Sequence, residues 1–297
     1  MFKYVDVRIL QFADDATIFV EDKNSVRKAV RHIEQFGLFS GLQLNKNKCS
    51  LVDIKDFTVN KDIEEIPWSD SDVKILGVTF GKNKDKITEK NWTPKITKIE
   101  NLIKIWKTRN LTLLGKITII KSFLVSQIIY NAQMILMPAK IVKRVNSLLF
   151  SFLWNSKKDK IKRKVVCMNY ELGGLKMVDL ESLLQSFLLK WILYYFSPVN
   201  SKWKYVIDGF FDKIGGFKYI LSCNCRKTDM STYLKSVKIP AYYKEIIYAW
   251  IDLKDLFDSN ADMNYQSCDI KNEDLWFNSN VKGYDGKVLF FKNCLQV

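Results

Sequence analysis

Residues 5–20 read VDVRILQFADDATIFV, and how that stretch folds decides the reading of everything after it. Val5, Val7 and Ile9 alternate with charged residues, Gln11 to Asp15 interrupt the pattern, and Thr17 to Val20 resume a β-rich run. This predicts a hairpin carrying Asp14 and Asp15 at its tip. Two adjacent carboxylates repel when both are ionised, and a divalent cation removes that cost; hard cations such as Mg2+ take carboxylate oxygens and keep positions open for phosphate. Paired acids are also ordinary turn residues. The tip alone does not choose between the two.

Downstream of the hairpin, Ser25 is the expected N-cap of a helix whose apolar stripe is Val26, Ala29, Val30, Ile33 and Phe36, ending at Gly37 and Gly41. The lone histidine, His32, falls near that stripe and reads as packing or solvated surface. Leu42 and Leu44, then Leu51, Val52 and Ile54, suggest a strand pair, and Val73 to Phe80 a strand turning at Gly77 or Gly81. From Thr93-Pro94 the pattern becomes helical: a first face of Ile96, Ile99, Leu102, Ile103 and Trp106, and a second of Ile117, Ile120, Leu124 and Ile128. A third helix opens at Pro138. Leu183 to Tyr195 is strongly apolar, and after Pro198 the pattern weakens into short aromatic segments. Trp92, Trp106 and Trp154 lie on apolar stripes, where core packing outweighs base stacking.

The charge is unevenly placed. Residues 82–170 hold 20 Lys and Arg against 4 Asp and Glu, a net of +16, while the whole chain carries +15, so the remainder sums to −1. A polyanion is the natural partner of such a block, since each neutralised phosphate releases counterions. Lys116, Lys121, Lys143 and Arg144 are candidates on helical faces, and KKDKIKRK at 157–164 adds Lys157, Lys158, Lys160, Lys162, Arg163 and Lys164 in an expected exposed loop, solvated or phosphate-contacting. Cysteines at 49, 167, 223, 225, 268 and 294 lack paired spacing and point to reduced thiols rather than a zinc or disulfide frame. With no apolar run of membrane length and no signal pattern, the expectation is a soluble intracellular chain.

Three of these stretches share one resemblance. Phe12-Ala13-Asp14-Asp15 resembles the catalytic hairpin of non-LTR (LINE-type) retrotransposon reverse transcriptases, Gly41-Leu42-x-Leu44-Asn45-x-x-Lys48 the motif that follows it, and Lys74-Ile75-Leu76-Gly77-Val78 the primer-grip hairpin. Leu114-Gly115-Lys116, Phe152-Leu153-Trp154, Gly173-Gly174-Leu175 and Trp276-Phe277-Asn278 are similar to the family's downstream region.

The resemblance implies an α+β chain. Residues 1–88 would be part of a right-hand polymerase palm made of hairpins plus a helix, 89–165 a helical thumb bundle, and 166–297 a mostly helical C-terminal region. It implies that Asp14 and Asp15 help bind two Mg2+ ions, that Lys48 protonates or pairs with phosphate, and that Gly77 lies against the nucleic acid. Gly77 is equally consistent with a β-bulge, and Lys48 with an exposed strand-end lysine. The implied partners are an RNA template, a DNA primer and deoxynucleotides, without a membrane, in a nuclear or cytoplasmic ribonucleoprotein. The family's third catalytic aspartate and its fingers would precede Met1, so the expectation is a fragment inactive alone. The alternative is a non-catalytic basic nucleic-acid-binding module or a retroelement relic.

Overall fold

The computed structural model describes residues 8–52, 66–69 and 72–260, with side chains to residue 254. The expectations at Val5, Val7, Ile54, Cys268, Cys294 and Trp276-Phe277-Asn278 lie outside the described residues. Helix and strand are mixed, in keeping with an α+β chain. Internal contacts divide it into two compact units, one from Asp6 to Met177 and one from Val178 onward.

In the first unit, β1 (Ile9–Phe12) and β2 (Asp15–Ile18) form the antiparallel hairpin, with Phe12 opposite Asp15 across the two-residue turn Ala13-Asp14. Helix α1 (Lys23–Ser40) follows. Its N-cap is Asp22, not Ser25: the Asp22 carboxylate accepts the Ser25 backbone N–H at 2.7 Å, as an ionised acceptor at a helix N-terminus should. Gly37 does not end α1; the helix runs on to Gly41, left-handed at φ 75°, whose N–H returns to the Gly37 carbonyl. Gly37 is required inside the helix because a Cβ there would lie 2.4 Å from the Leu42 carbonyl oxygen. Leu42 and Leu44 are not in a strand. The short β3 (Leu51–Val52) pairs instead, in parallel, with β4 (Trp68–Ser69), two strand residues too brief to carry a sequence period.

Strands β5 (Asp72–Ile75) and β6 (Val78–Gly81) make the second hairpin, with Ile75 opposite Val78 across the turn Leu76-Gly77. Helix α2 (Lys84–Lys107) begins ten residues before the expected Thr93-Pro94 start, capped by the Asn83 side chain on the N–H groups of Asp85 and Lys86. Pro94 therefore sits inside the helix, where its missing N–H and ring cost about 3 kcal/mol. Trp92, Ile96 and Ile99 are buried around it, each contributing about 1.5–3 kcal/mol, and their sum decides the outcome.

Helix α2 is the element the others pack on, with β6, α4 (Ser126–Met134) and α5 (Ala139–Leu153) all against it. Helix α3 (Leu113–Ile119) leads through the wide π-type turn Ile120–Leu124 into α4, with a bend of 44°. The expected stripe Ile117, Ile120, Leu124 and Ile128 is buried along this broken path. Val142, Val145, Leu149 and Phe152 bring α5 to the same core, and α6 (Arg163–Cys167) completes the unit's helices among the described residues.

The second unit holds α7 (Leu180–Phe196), α8 (Lys202–Phe211), α9 (Phe217–Ser222), α10 (Lys227–Ser236) and α11 (Ala241–Asn260). As far as residue 260, the stretch that reads as weakly patterned is thus helical, with a core that includes Ile192, Phe211, Phe217, Leu234, Ile246 and Ile247. Its helices are short and its aromatics meet edge to face, as Trp191 does with Trp203 at 5.3 Å between ring centroids, so no single helix shows a long period. No single described helix is long and apolar enough to cross a membrane. Tyr195 donates to the Asp208 carboxylate, and burial pushes its hydroxyl pKa upward. Burial likewise raises Tyr233 and Tyr242 to about 12.

These shifts set an alkaline limit. An acid whose folded pKa lies above its unfolded value of 10.0 contributes stability that is fully present below that value and lost as pH climbs through the folded one. Helicity of the second unit is expected to hold to pH 10 and collapse towards about 12, together with a cooperative rise in tyrosinate absorbance. A tyrosinate titration centred at 10 with helicity intact would show these rings to be solvated.

Candidate functional site

The β1–β2 tip is built on an exposed turn. Ala13 has φ 52°, the left-handed sign that a two-residue hairpin turn needs at its first position, and Gln11 Nε2 donates to the Ala13 carbonyl at 3.2 Å. Asp14 and Asp15 are both exposed, one in the turn and one opening β2. Their carboxylates are donors of the kind Mg2+ prefers. Among the described residues no group of three or more His, Cys, Asp or Glu side chains gathers to hold a metal. The pair therefore fits part of such a site and leaves the other ligands to water, phosphate and further carboxylate.

Lys48 is exposed in the 3-10 turn Lys46–Lys48, which closes at the Asn45 carbonyl rather than ending a strand. The turn is tied back to α1 by Lys46 and Glu34 at 3.2 Å. At Gly77 there is no bulge among the described residues: φ values of 47° at Leu76 and 83° at Gly77 make a tight turn with both central residues left-handed. A Cβ at Gly77 would find only Tyr130 Cε1, at 3.9 Å, so it is the backbone angle that selects glycine.

Behind that turn lies a polar clasp invisible to periodicity. The narrow pair Ile75 and Val78 puts Lys74 and Thr79 in the next, non-hydrogen-bonded position, so the Thr79 backbone groups point away from β5. Asn91 takes both, accepting the Thr79 N–H at 2.9 Å and donating to the Thr79 carbonyl at 2.7 Å. Its own carbonyl accepts Asn131 Nδ2 at 3.2 Å. An unexpected Asn on the buried face of an amphipathic run was the available signal.

The basic candidates separate. Lys121, Lys143, Arg144 and residues 157–164 are exposed, although Arg144 is paired with Glu100 at 2.8 Å. Arg163 is paired with Asp159 at 2.8 Å and stacks over Phe150 at 4.4 Å, while Arg163 and Lys164 begin α6 rather than continuing the loop. Lys116 departs from the expected helical face. It is buried, donating to the Leu153 carbonyl at 3.3 Å and to Asn155 Oδ1 at 2.5 Å, with its ammonium 5.9 Å from the Phe152 ring centroid. It closes the C-terminus of α5, where the helix dipole favours a cation, and so joins two motifs that lie 37 residues apart in the sequence. Desolvation, then the nearby Lys107 charge, lowers its pKa.

A groove along α2, whose lining includes Lys86, Lys90 and Lys98 together with Glu89, adds a surface with a net positive lining that was not singled out in the sequence. Lys90 there is bonded to Asp72 at 2.6 Å.

Lys116→Met is expected to cost about 1–3 kcal/mol in urea unfolding, since it strips a buried carbonyl of its donor, while leaving the salt dependence of nucleic-acid binding unchanged. Lys121→Gln or Lys143→Gln should do the reverse, lowering the slope of log affinity against log salt by about one for each phosphate no longer neutralised. A reduced slope in Lys116→Met would place that ammonium on the nucleic acid.

Residues 1–80 match the family model described as reverse transcriptase (RNA-dependent DNA polymerase). A putative ribonuclease H protein of Arabidopsis thaliana is 29% identical over 110 residues, covering 35% of this chain. The chain spans 17% of the length of that curated relative. The match takes in the first hairpin with its exposed Asp14-Asp15 tip, the Leu76-Gly77 turn and all but the last residue of β6, and it relates residues 1–80 to reverse transcriptases.

Proposed function

We propose that the chain is part of an RNA-directed DNA polymerase of the non-LTR (LINE-type) retrotransposon kind, in which residues 1–88 act as palm and 89–165 as thumb. The observation that carries this reading is the coincidence of the family match with an exposed two-carboxylate turn. Asp14 and Asp15 would hold Mg2+ at the hairpin tip. Held by these two carboxylates, it would supply charge neutralisation for transfer of a deoxynucleotide's α-phosphate to a primer 3′-hydroxyl with pyrophosphate as leaving group. Lys48 would pair with the departing phosphate or give it a proton. The β5–β6 turn would present the primer end, and Lys121, Lys143, Arg144 and the 157–164 segment would hold the template–primer backbone without regard to sequence.

Support for a larger polymerase, rather than a self-sufficient one, comes from the surface of the first elements. Ile9, Leu10, Phe12, Phe36, Leu38 and Phe39 are all exposed, Phe39 at 91%, and a lone two-stranded hairpin is marginal in water. A third carboxylate would reach the site with the elements that cover this face. A binding-only reading is favoured by one observation, that no third acid joins the pair among the described residues.

Binding of an RNA template annealed to a DNA primer, with the next deoxynucleotide present, is expected to tighten on adding Mg2+. Asp14→Asn with Asp15→Asn should abolish that increment and leave the salt-sensitive binding intact. An unaltered chain indifferent to Mg2+ would leave the binding-only reading standing.

A further inference from the structure

The β5–β6 turn is gripped by two consecutive residues of α4, neither of which lies in one of the quoted motifs. Tyr130 Oη donates to the Leu76 carbonyl at 2.6 Å, and Asn131 Nδ2 donates to the carbonyl of Asn91, which holds Thr79 on β6 at both its backbone groups. The Tyr130 ring also flanks Gly77, so the turn is fixed at its carbonyl, along its glycine and through the strand behind it. The wide turn Ile120–Leu124 and the 44° bend next to it aim α4 away from a straight continuation of α3 and bring this pair to the hairpin.

Burial does not explain the Tyr130 bond. Tyr130 is 43% exposed, so water would satisfy its hydroxyl equally well, and the bond adds little to overall stability. Its consequence is local. Leu76 sits at φ 47°, a left-handed angle that costs a non-glycine residue about 1–2 kcal/mol, and the hydroxyl holds the carbonyl of that same residue. Outside the held turn, Lys74, Leu76 and Phe80 remain exposed.

We propose that Tyr130 is a positioning residue of the template–primer site: through the Leu76 carbonyl it fixes the turn that meets the primer end, while Asn131 and Asn91 fix the strand behind it. This rests on the reading of β5–β6 as the element that presents the primer. Phosphate contacts elsewhere supply affinity; the Tyr130 bond supplies the place of the terminal nucleotide.

The test uses the full chain and an RNA template annealed to a DNA primer carrying 2-aminopurine either at its 3′ end or at an internal position. In the unaltered chain, binding should change the fluorescence of the terminal probe and not of the internal one. Tyr130→Phe keeps the ring and loses the hydroxyl. It should bind the duplex with unchanged affinity and melt at an unchanged temperature, while the proportion of held ends falls about five-fold, the equivalent of one hydrogen bond. Gly77→Ala, which disturbs the same turn without touching Tyr130, should give the same loss of end signal. A Tyr130→Phe chain with an undiminished end signal, or with a loss matched by weaker affinity or a lower melting temperature, overturns the inference. An unaltered chain that binds the duplex with no end-specific signal overturns the primer-presenting reading of the hairpin, and this inference with it.

Discussion

The amide of Asn91 stands where a neighbouring strand would otherwise be needed. Strand β6 is the outer edge of a two-stranded sheet, and Thr79 on it is buried with its backbone groups turned outward, away from β5. Leaving either group without a partner costs about 1–3 kcal/mol, about twice what one satisfied hydrogen bond contributes. A single asparagine on α2 answers both groups, and its own backbone carbonyl receives Asn131. The β-hairpin and the helical core are therefore one packed object. The buried run Trp92, Ile96, Ile99 and Ile103 starts one residue after the clasp, so the helix that carries the core also fixes the hairpin's height against it.

Lys116 acts in a similar way at the other end of the core. Counting charges between residues 82 and 170 treats every lysine as available to a polyanion, but this one closes the last carbonyls of α5. Lys107 bonds Ser156 at the same end, at 2.9 Å. Asn155 and Ser156 there adopt left-handed angles of 51° and 62°, which two converging cationic donors help to hold. Basic character in this segment thus has two uses, and only position separates them. Lys121 and the lysines left exposed on α2, α5 and the 157–164 segment are the ones with charge to offer a phosphate.

Much of the fold was legible from residue spacing. The first hairpin, the β5–β6 turn at Gly77, the stripe of the α3–α4 region and the opening of α5 at Pro138 follow from alternation, glycine and helical period, because each depends on neighbours in sequence. What escaped depends on neighbours in space. Pro94 reads as a helix start until the burial of Trp92 and Ile96 on both sides is known. Ser25 reads as a cap, but Asp22 precedes it and its carboxylate is the stronger acceptor. The pairing of β3 with β4 spans an interval no local pattern bridges, and the core of the second unit is assembled from aromatics on several short helices. For the candidate site, Asp14, Asp15 and Gly77 stand out in the sequence because the proposed chemistry or the turn calls for those residue types. Tyr130, Asn91 and Asn131 were not, since their roles exist only once α2 and α4 lie beside the hairpin.

The two hairpin tips share a construction that bears on what they are for. Ala13 at φ 52° and Leu76 at φ 47° occupy the first turn position of their hairpins without being glycine, each at a cost of about 1–2 kcal/mol. In both, a side chain from outside the turn donates to the carbonyl of that same residue, Gln11 to Ala13 and Tyr130 to Leu76. Glycine would have made each turn less strained but looser, because it opens as many angles to the unfolded chain as it relieves in the folded one. A non-glycine residue held by its carbonyl gives a tip with one conformation. Strain kept in place by specific bonds belongs where a backbone must present something at a fixed position. On one tip that is a pair of carboxylates, and on the other a turn flanked by exposed Leu76, Phe80 and the ring of Tyr130.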